Sequence, residues 1–156
     1  MPASATRPPR PLAVLFACGE NSVRSPLAAG LFAQMFGPAI YVASAGVRKG
    51  EVDPFAVAVM AEIGLDISKH KSVTFEELDE WEGLNFDLII TLAPDAHHRA
   101  LELTRTSGID VEYWPTADPT VTEGSREQRL DAYRQIRDQL LARIRQRFSR
   151  PSPGNE

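Results

Sequence analysis

Six apolar residues, Leu12 to Ala17, run straight into a polar stretch, Cys18-Gly19-Glu20-Asn21-Ser22-Val23-Arg24-Ser25-Pro26. Beyond it apolar residues recur at helical spacing: Leu27, Leu31, Phe32, Met35 and Phe36. A short unbroken apolar run suits a strand buried on both faces, and the spacing after it predicts a helix from about Arg24. The chain must therefore leave a buried strand at Cys18 and enter a helix within a few residues. That requirement points to an α/β architecture and places a polar loop where strands end.

The residues of this loop carry chemistry. Backbone N–H groups in such a turn can face inward as a nest for an anion, with the partial positive charge of the helix N-terminus behind them. A thiol at Cys18 would face those dipoles and the Arg24 guanidinium, which favour the thiolate, the form that attacks. Arg24 would hold two equatorial oxygens of a phosphoryl group while sulfur approaches along the axis. Ser25 would donate a hydrogen bond to the thiolate, and Asn21 tolerates the left-handed backbone a tight loop needs. The expected anion-binding set is Gly19, Glu20, Asn21, Ser22, Val23 and Arg24, with Asn21 and Ser25 supporting the loop. Against this stands a plainer reading, since a lone cysteine ending a core strand is usually a small buried hydrophobe. The strand–loop–helix context, more than the Cys-to-Arg spacing, favours the chemical one.

On these residues the chain resembles the low-molecular-weight protein tyrosine phosphatases together with the thioredoxin-coupled arsenate reductases that share their fold. Their Cys-x5-Arg-Ser loop is matched by Cys18, Arg24 and Ser25. The likeness continues in Ser44-Ala45-Gly46, in Gly64-Leu65-Asp66-Ile67-Ser68 with His70, in Phe86 to Thr91 and in Asp118-Pro119, covering about residues 11–148. Alternating strands and helices already imply right-handed crossovers and an open parallel sheet. The resemblance adds a three-layer α/β/α fold of the phosphotyrosine phosphatase I type, with four parallel strands in the order 2-1-3-4. It also implies cysteine-dependent phosphomonoester hydrolysis through a cysteinyl-phosphate.

Such a transfer needs a proton for the leaving oxygen, so an acid is expected opposite the nucleophile. Asp118 is the candidate, because the family's general acid is the Asp of an Asp-Pro pair in this place. By itself Asp-Pro usually marks a turn, as at Asp53-Pro54.

Along the chain, Ile40 to Ala43 reads as a second strand leading to Ser44-Ala45-Gly46. Asp53-Pro54 starts a helix whose face is Phe55, Val59, Met60 and Ile63, closed by Gly64. Thr74 and Glu77 form a capping box for a short acidic helix read as a solvated surface. Phe86 to Leu92 is a third buried strand, Ala93-Pro94-Asp95 opens a helix to about Leu103, and Asp110 to Trp114 is a fourth strand. Ser125 and Gln128 cap a long final helix, with Leu130, Tyr133, Ile136, Leu140, Ile144 and Phe148 on its buried side. Its arginines at 126, 129, 134, 137, 143, 145 and 147 read as a solvated face.

One domain over 11–148 is expected, with disordered tails at 1–10 and 149–156. The net charge of −4 argues against nucleic acid as a partner, and no apolar run is long enough to span a membrane. A single cysteine excludes an internal disulfide and suits a reducing cytoplasm. His70, His97 and His98 lack the further ligands of a metal site and read as surface or packing residues, so neither metal nor cofactor is expected. The expected partner is a phosphorylated protein or a small aryl phosphate.

Departures from the family bear on substrate. Thr120-Val121 follow Asp118-Pro119 where the phosphatases place aromatic walls, and residues 47–52 hold no tryptophan or tyrosine. Phe55, Tyr113 and Trp114 are the available replacements. Glu20 stands where glycine is usual, putting a negative charge near an anion site unless its side chain points outward. Val23 and Ala93 occupy places where the arsenate reductases carry sulfurs of an intramolecular relay. That relay is excluded here, leaving two alternatives to the phosphatase: a single-cysteine arsenate reductase using an external thiol, and a noncatalytic anion-binding module.

Overall fold

The computed structural model describes residue 11 and residues 13–149. Four strands, β1 (Ala13–Cys18), β2 (Tyr41–Gly46), β3 (Leu88–Thr91) and β4 (Asp110–Tyr113), form one parallel sheet in the order β2-β1-β3-β4. Five helices connect and follow them: α1 (Arg24–Phe36), α2 (Pro54–Ala61), α3 (Phe75–Glu82), α4 (Pro94–Leu103) and α5 (Arg126–Phe148). The order reverses at β1. Right-handed crossovers to either side of it put α1 on one face, packed against α5, and α3 with α4 on the other.

Register brings the strands to a common edge. Cys18 pairs with Gly46, Ala17 with Thr91, and Thr91 with Tyr113. The loops that follow the strands therefore emerge side by side, at the switch point where open α/β sheets bind ligands.

Val14, Leu15, Phe16 and Ala17 of β1 and Ile89 and Ile90 of β3 are fully buried, as expected for strands covered on both faces. Phe16 meets Phe32 and Trp114 edge-on at 5.7 and 6.1 Å, and Phe148 meets Phe32 at 5.0 Å. Each such aromatic side chain stabilises the fold by roughly 1.5–3 kcal/mol through burial. All six apolar positions expected on α5 are buried. Side chains cap three helices as the sequence predicts: Asp53 accepts from the Phe55 N–H, and Thr74 with Glu77 and Ser125 with Gln128 close full capping boxes.

Some boundaries differ from expectation. β2 begins at Tyr41 and runs through Ser44-Ala45-Gly46, because β1 needs a partner out to Cys18. The third strand is shorter than Phe86 to Leu92: Asp87 stays outside β3 and accepts the Ala13 N–H through its carboxylate. Ile63 lies beyond the end of α2 and is 43% exposed, and Ala56 joins Val59 and Met60 on the buried side instead. The arginines of α5 are not one solvated face. Arg137 is buried against α2, donating to the Val59 carbonyl at 2.7 Å and to Glu62 at 2.9 Å, while Arg147 holds Glu112. The expected tails and Leu12 lie outside the described residues, except Ser149, whose N–H closes α5 on the Arg145 carbonyl.

Candidate active site

Between β1 and α1 the backbone turns its carbonyls outward, one after another, onto donors from other segments and from α1. Cys18 and Gly19 accept from Val47, and Gly19 also from Arg48, through main-chain N–H groups. The Glu20 carbonyl accepts from the Ser72 hydroxyl at 2.7 Å, Asn21 from His70 Nε2 at 3.0 Å, Ser22 from the Asp53 N–H at 3.0 Å, and Val23 from Leu27. With every carbonyl from Cys18 to Val23 occupied on the outside, the amides face the other way. Among the described residues, the N–H groups of Gly19 to Val23 donate to no protein acceptor. No side chain caps α1 and no acid sits in its first turn, so its N-terminal charge is also unanswered.

Asn21 makes this turn. Its φ of 57° is left-handed, which Asn accepts more readily than most residues. Fully buried, its amide oxygen accepts from the Val73 N–H at 3.0 Å and its NH2 donates to Ser25 Oγ at 2.8 Å. Ser25 Oγ then lies 3.0 Å from Cys18 Sγ, and the Ser25 N–H points at the same sulfur from 3.4 Å. When the sulfur is a thiolate, the Ser25 hydroxyl can only donate to it. Gly46 seals the loop from below: a Cβ there would sit 2.9 Å from Asn21 N and from the Glu20 carbonyl carbon. Only glycine allows this approach.

Arg24 spans to the loop after β4. Its Nη1 donates to the Thr116 carbonyl at 3.0 Å, and its Nη2 lies 4.0 Å from Asp118 Oδ2. Asp118 caps a 3-10 turn, Pro119–Val121, with Oδ1 accepting both the N–H and the hydroxyl of Thr120. Its other oxygen is left facing the arginine and solvent. Through Arg24, the loop that begins at Cys18 and the loop that carries Asp118 thus face one another across a cleft.

Glu20 is exposed and its side chain lies against Gly50, away from the loop's interior. Trp114 is 3% exposed within the core and cannot wall the cleft, and Tyr113 stacks on His97 at 4.6 Å. Phe55 stands two residues after Asp53, whose N–H holds the Ser22 carbonyl.

Two residues that sequence reading assigned to packing hold this site. His70, read as surface or packing, grips the Asn21 carbonyl, so Nε2 carries the proton. Burial pushes its pKa below the usual 6.5, and the bond to that carbonyl only partly offsets this. Tyr133, read as a core position, donates to Asp53 Oδ2 at 2.8 Å. Burial, then this carboxylate, raise its phenol well above the ordinary range. His70 had a signal in the Gly64-to-His70 motif; the Tyr133–Asp53 pair, 80 residues apart, had none in local pattern.

Comparison with known proteins agrees with this fold. Residues 13–150 match the model of the low molecular weight phosphotyrosine protein phosphatases. The chain belongs to that family. An arsenate reductase of Halalkalibacterium halodurans is 33% identical over 132 residues, covering 85% of this chain and 91% of that protein. A solved arsenate reductase in a phosphate-binding state superposes with a TM-score of 0.71 at 30% identity, covering 90% of this chain and 98% of the other. A low molecular weight protein tyrosine phosphatase from T. tengcongensis superposes at 0.68 with 25% identity, covering 85% and 95%. The family is one of enzymes that includes both activities. Among the described residues no cluster of metal-binding side chains occurs, and no helix is long and apolar enough to cross a membrane.

Proposed function

We propose that the protein is a cysteine-dependent phosphomonoester hydrolase acting on a phosphorylated protein or a small aryl phosphate. In this reading the inward amides of Gly19 to Val23 and the Arg24 guanidinium hold the three equatorial oxygens, and the Cys18 thiolate attacks phosphorus in line. Sulfur gains the phosphoryl group, and the ester oxygen leaves with the proton of Asp118 Oδ2. Asp118, now ionised, takes a proton from water as it attacks the cysteinyl-phosphate, releasing inorganic phosphate and restoring the thiolate. Ser25 stabilises the sulfur's negative charge when it attacks and when it leaves. No step calls for a metal or cofactor. A lone thiol of this kind stays reduced in the cytoplasm, the compartment the reading assumes.

The observation that carries the reading is the Asp118 carboxylate, with one oxygen tied down and the other across the mouth from Arg24. The outward Glu20 weighs against a disabled anion-binding module, since its charge does not enter the loop. The arsenate reductase name of the 33% identical relative favours a second reading, in which Cys18 attacks arsenate and an external thiol resolves the adduct. Cys18 is the single cysteine, so that thiol must come from another molecule.

Hydrolysis of p-nitrophenyl phosphate between about pH 5 and 7.5 tests the proposal. Cys18→Ser is expected to abolish turnover, and Asp118→Asn to lower it by about 10²–10⁴-fold. A wild-type protein that hydrolyses nothing but consumes an external thiol when arsenate is added would replace the phosphatase reading with the second.

A further inference from the structure

The rim beside the phosphate loop carries two guanidinium groups that fold stability does not explain. Arg126 and Arg129 lie in the first turn or so of α5, the end at which the helix dipole disfavours cations. Arg134, Arg137 and Arg147 of the same helix each hold carboxylates, but among the described residues Arg126 and Arg129 have no carboxylate within ion-pair distance. Both instead stack on the half-buried ring of Phe55, Arg129 at 4.8 Å and Arg126 at 5.5 Å from its centroid. A stacked guanidinium keeps its N–H edges free to donate to an incoming anion.

That ring is tied to the cleft. Tyr133 meets it edge-on at 5.3 Å and donates to Asp53, and the Asp53 N–H holds the Ser22 carbonyl of the phosphate loop. The arginine pair is thus oriented by the same residues that fix the loop. An oxyanion sitting in the loop ends there and leaves the pair unused. A longer substrate, with negative charge beside its phosphoryl group, meets it.

We propose that Arg126 and Arg129 are specificity residues that select phosphopeptides with acidic side chains flanking the phosphorylated residue. This rests on the phosphatase reading and names its substrate class. The test compares kcat/KM for three matched phosphotyrosyl peptides, flanked by Asp and Glu, by Asn and Gln, or by Lys, with p-nitrophenyl phosphate measured alongside. The wild type is expected to favour the acidic peptide over the neutral one by about threefold to tenfold at low salt. The advantage shrinks towards unity at about 0.5 M salt, where the Debye length is only a few ångströms. The double variant Arg126→Glu with Arg129→Glu, which places acids where the helix dipole favours them and so keeps α5 folded, is expected to reverse the order. Arg145→Glu, in the last turn of the same helix, makes half that charge change far from the rim and is expected to leave the order intact.

Turnover of p-nitrophenyl phosphate with no preference among the peptides overturns the proposal and leaves the phosphatase reading standing. So does a preference that survives in the double variant, or one that Arg145→Glu removes. No hydrolysis of any of the four substrates by the wild type overturns both.

Discussion

At the residue scale the site depends on Asn21, whose side chain and backbone do different things. The backbone supplies one left-handed residue that swings the Glu20 and Asn21 carbonyls outward, and the buried amide joins Val73 to Ser25 and so to the sulfur. The two contributions separate by substitution. Asn21→Ala loses both, and chemical denaturation is expected to show a loss of about 2–4 kcal/mol, combining left-handed strain with unsatisfied buried partners. Asn21→Gly loses the amide but adopts the conformation freely. It is expected to be more stable than the alanine variant by about 0.5–1 kcal/mol, after allowing for glycine's greater freedom in the unfolded chain. An alanine variant as stable as the glycine one would remove the backbone part of this account.

At the scale of elements, α5 and α2 are joined by an arginine that was expected on a solvated face. Arg137 crosses to the Val59 carbonyl and to Glu62, which Arg134 also holds. Glu62 accordingly has its pKa lowered, first by Arg134 and then by Arg137. Because the Val59 carbonyl is in a buried bond, Arg137→Met, which keeps the aliphatic stem, is expected to cost about 1–3 kcal/mol in thermal or denaturant unfolding. Arg145→Met, on the exposed side of the helix, is expected to stay within about 0.5 kcal/mol of wild type. Equal effects at the two positions would mean that the seam is held by apolar burial alone. The short α3 shows the opposite arrangement: its capping box is local, and its acids reach outward to Lys49 and Arg99.

At the scale of the whole molecule, His70 links the segment after α2 to the loop between β1 and α1, and its burial makes global stability depend on pH. Its folded pKa lies below the ordinary 6.5, so as pH falls from about 6.5 the unfolded chain takes up a proton before the native protein does. Stability attributable to His70 is therefore complete above about pH 6.5 and declines as pH falls through its folded value, by at most about 1.4 kcal/mol per pH unit. His70→Gln retains an N–H donor for the Asn21 carbonyl but does not titrate. Its unfolding free energy is expected to fall less than that of wild type between about pH 7 and 5, and an identical decline would show that other groups carry the dependence.

Local chemistry made much of this fold readable in advance. The apolar run to Cys18, the helical spacing from Leu27 and the three side-chain caps are statements about near neighbours, and all appear in the structure. The order of strands came from the family likeness, because periodicity does not say which strand lies beside which. The strand ends shifted because hydrogen-bonding partners, not propensity, decide where a strand stops: β1 extends β2 to Gly46. At the site, Cys18, Arg24 and Ser25 are joined by a short loop and could be grouped from its place between a strand and a helix. Asp118 needed the family motif, and Tyr133 on Asp53, Arg137 on Val59 and the arginine pair on Phe55 were beyond any local pattern. Each of these contacts is closed by long stretches of intervening chain. Amino-acid order by itself determined the elements and the loop between β1 and α1, because those follow from interactions between close neighbours. Only the packed tertiary structure decided which distant side chains hold that loop open and what charge surrounds its mouth.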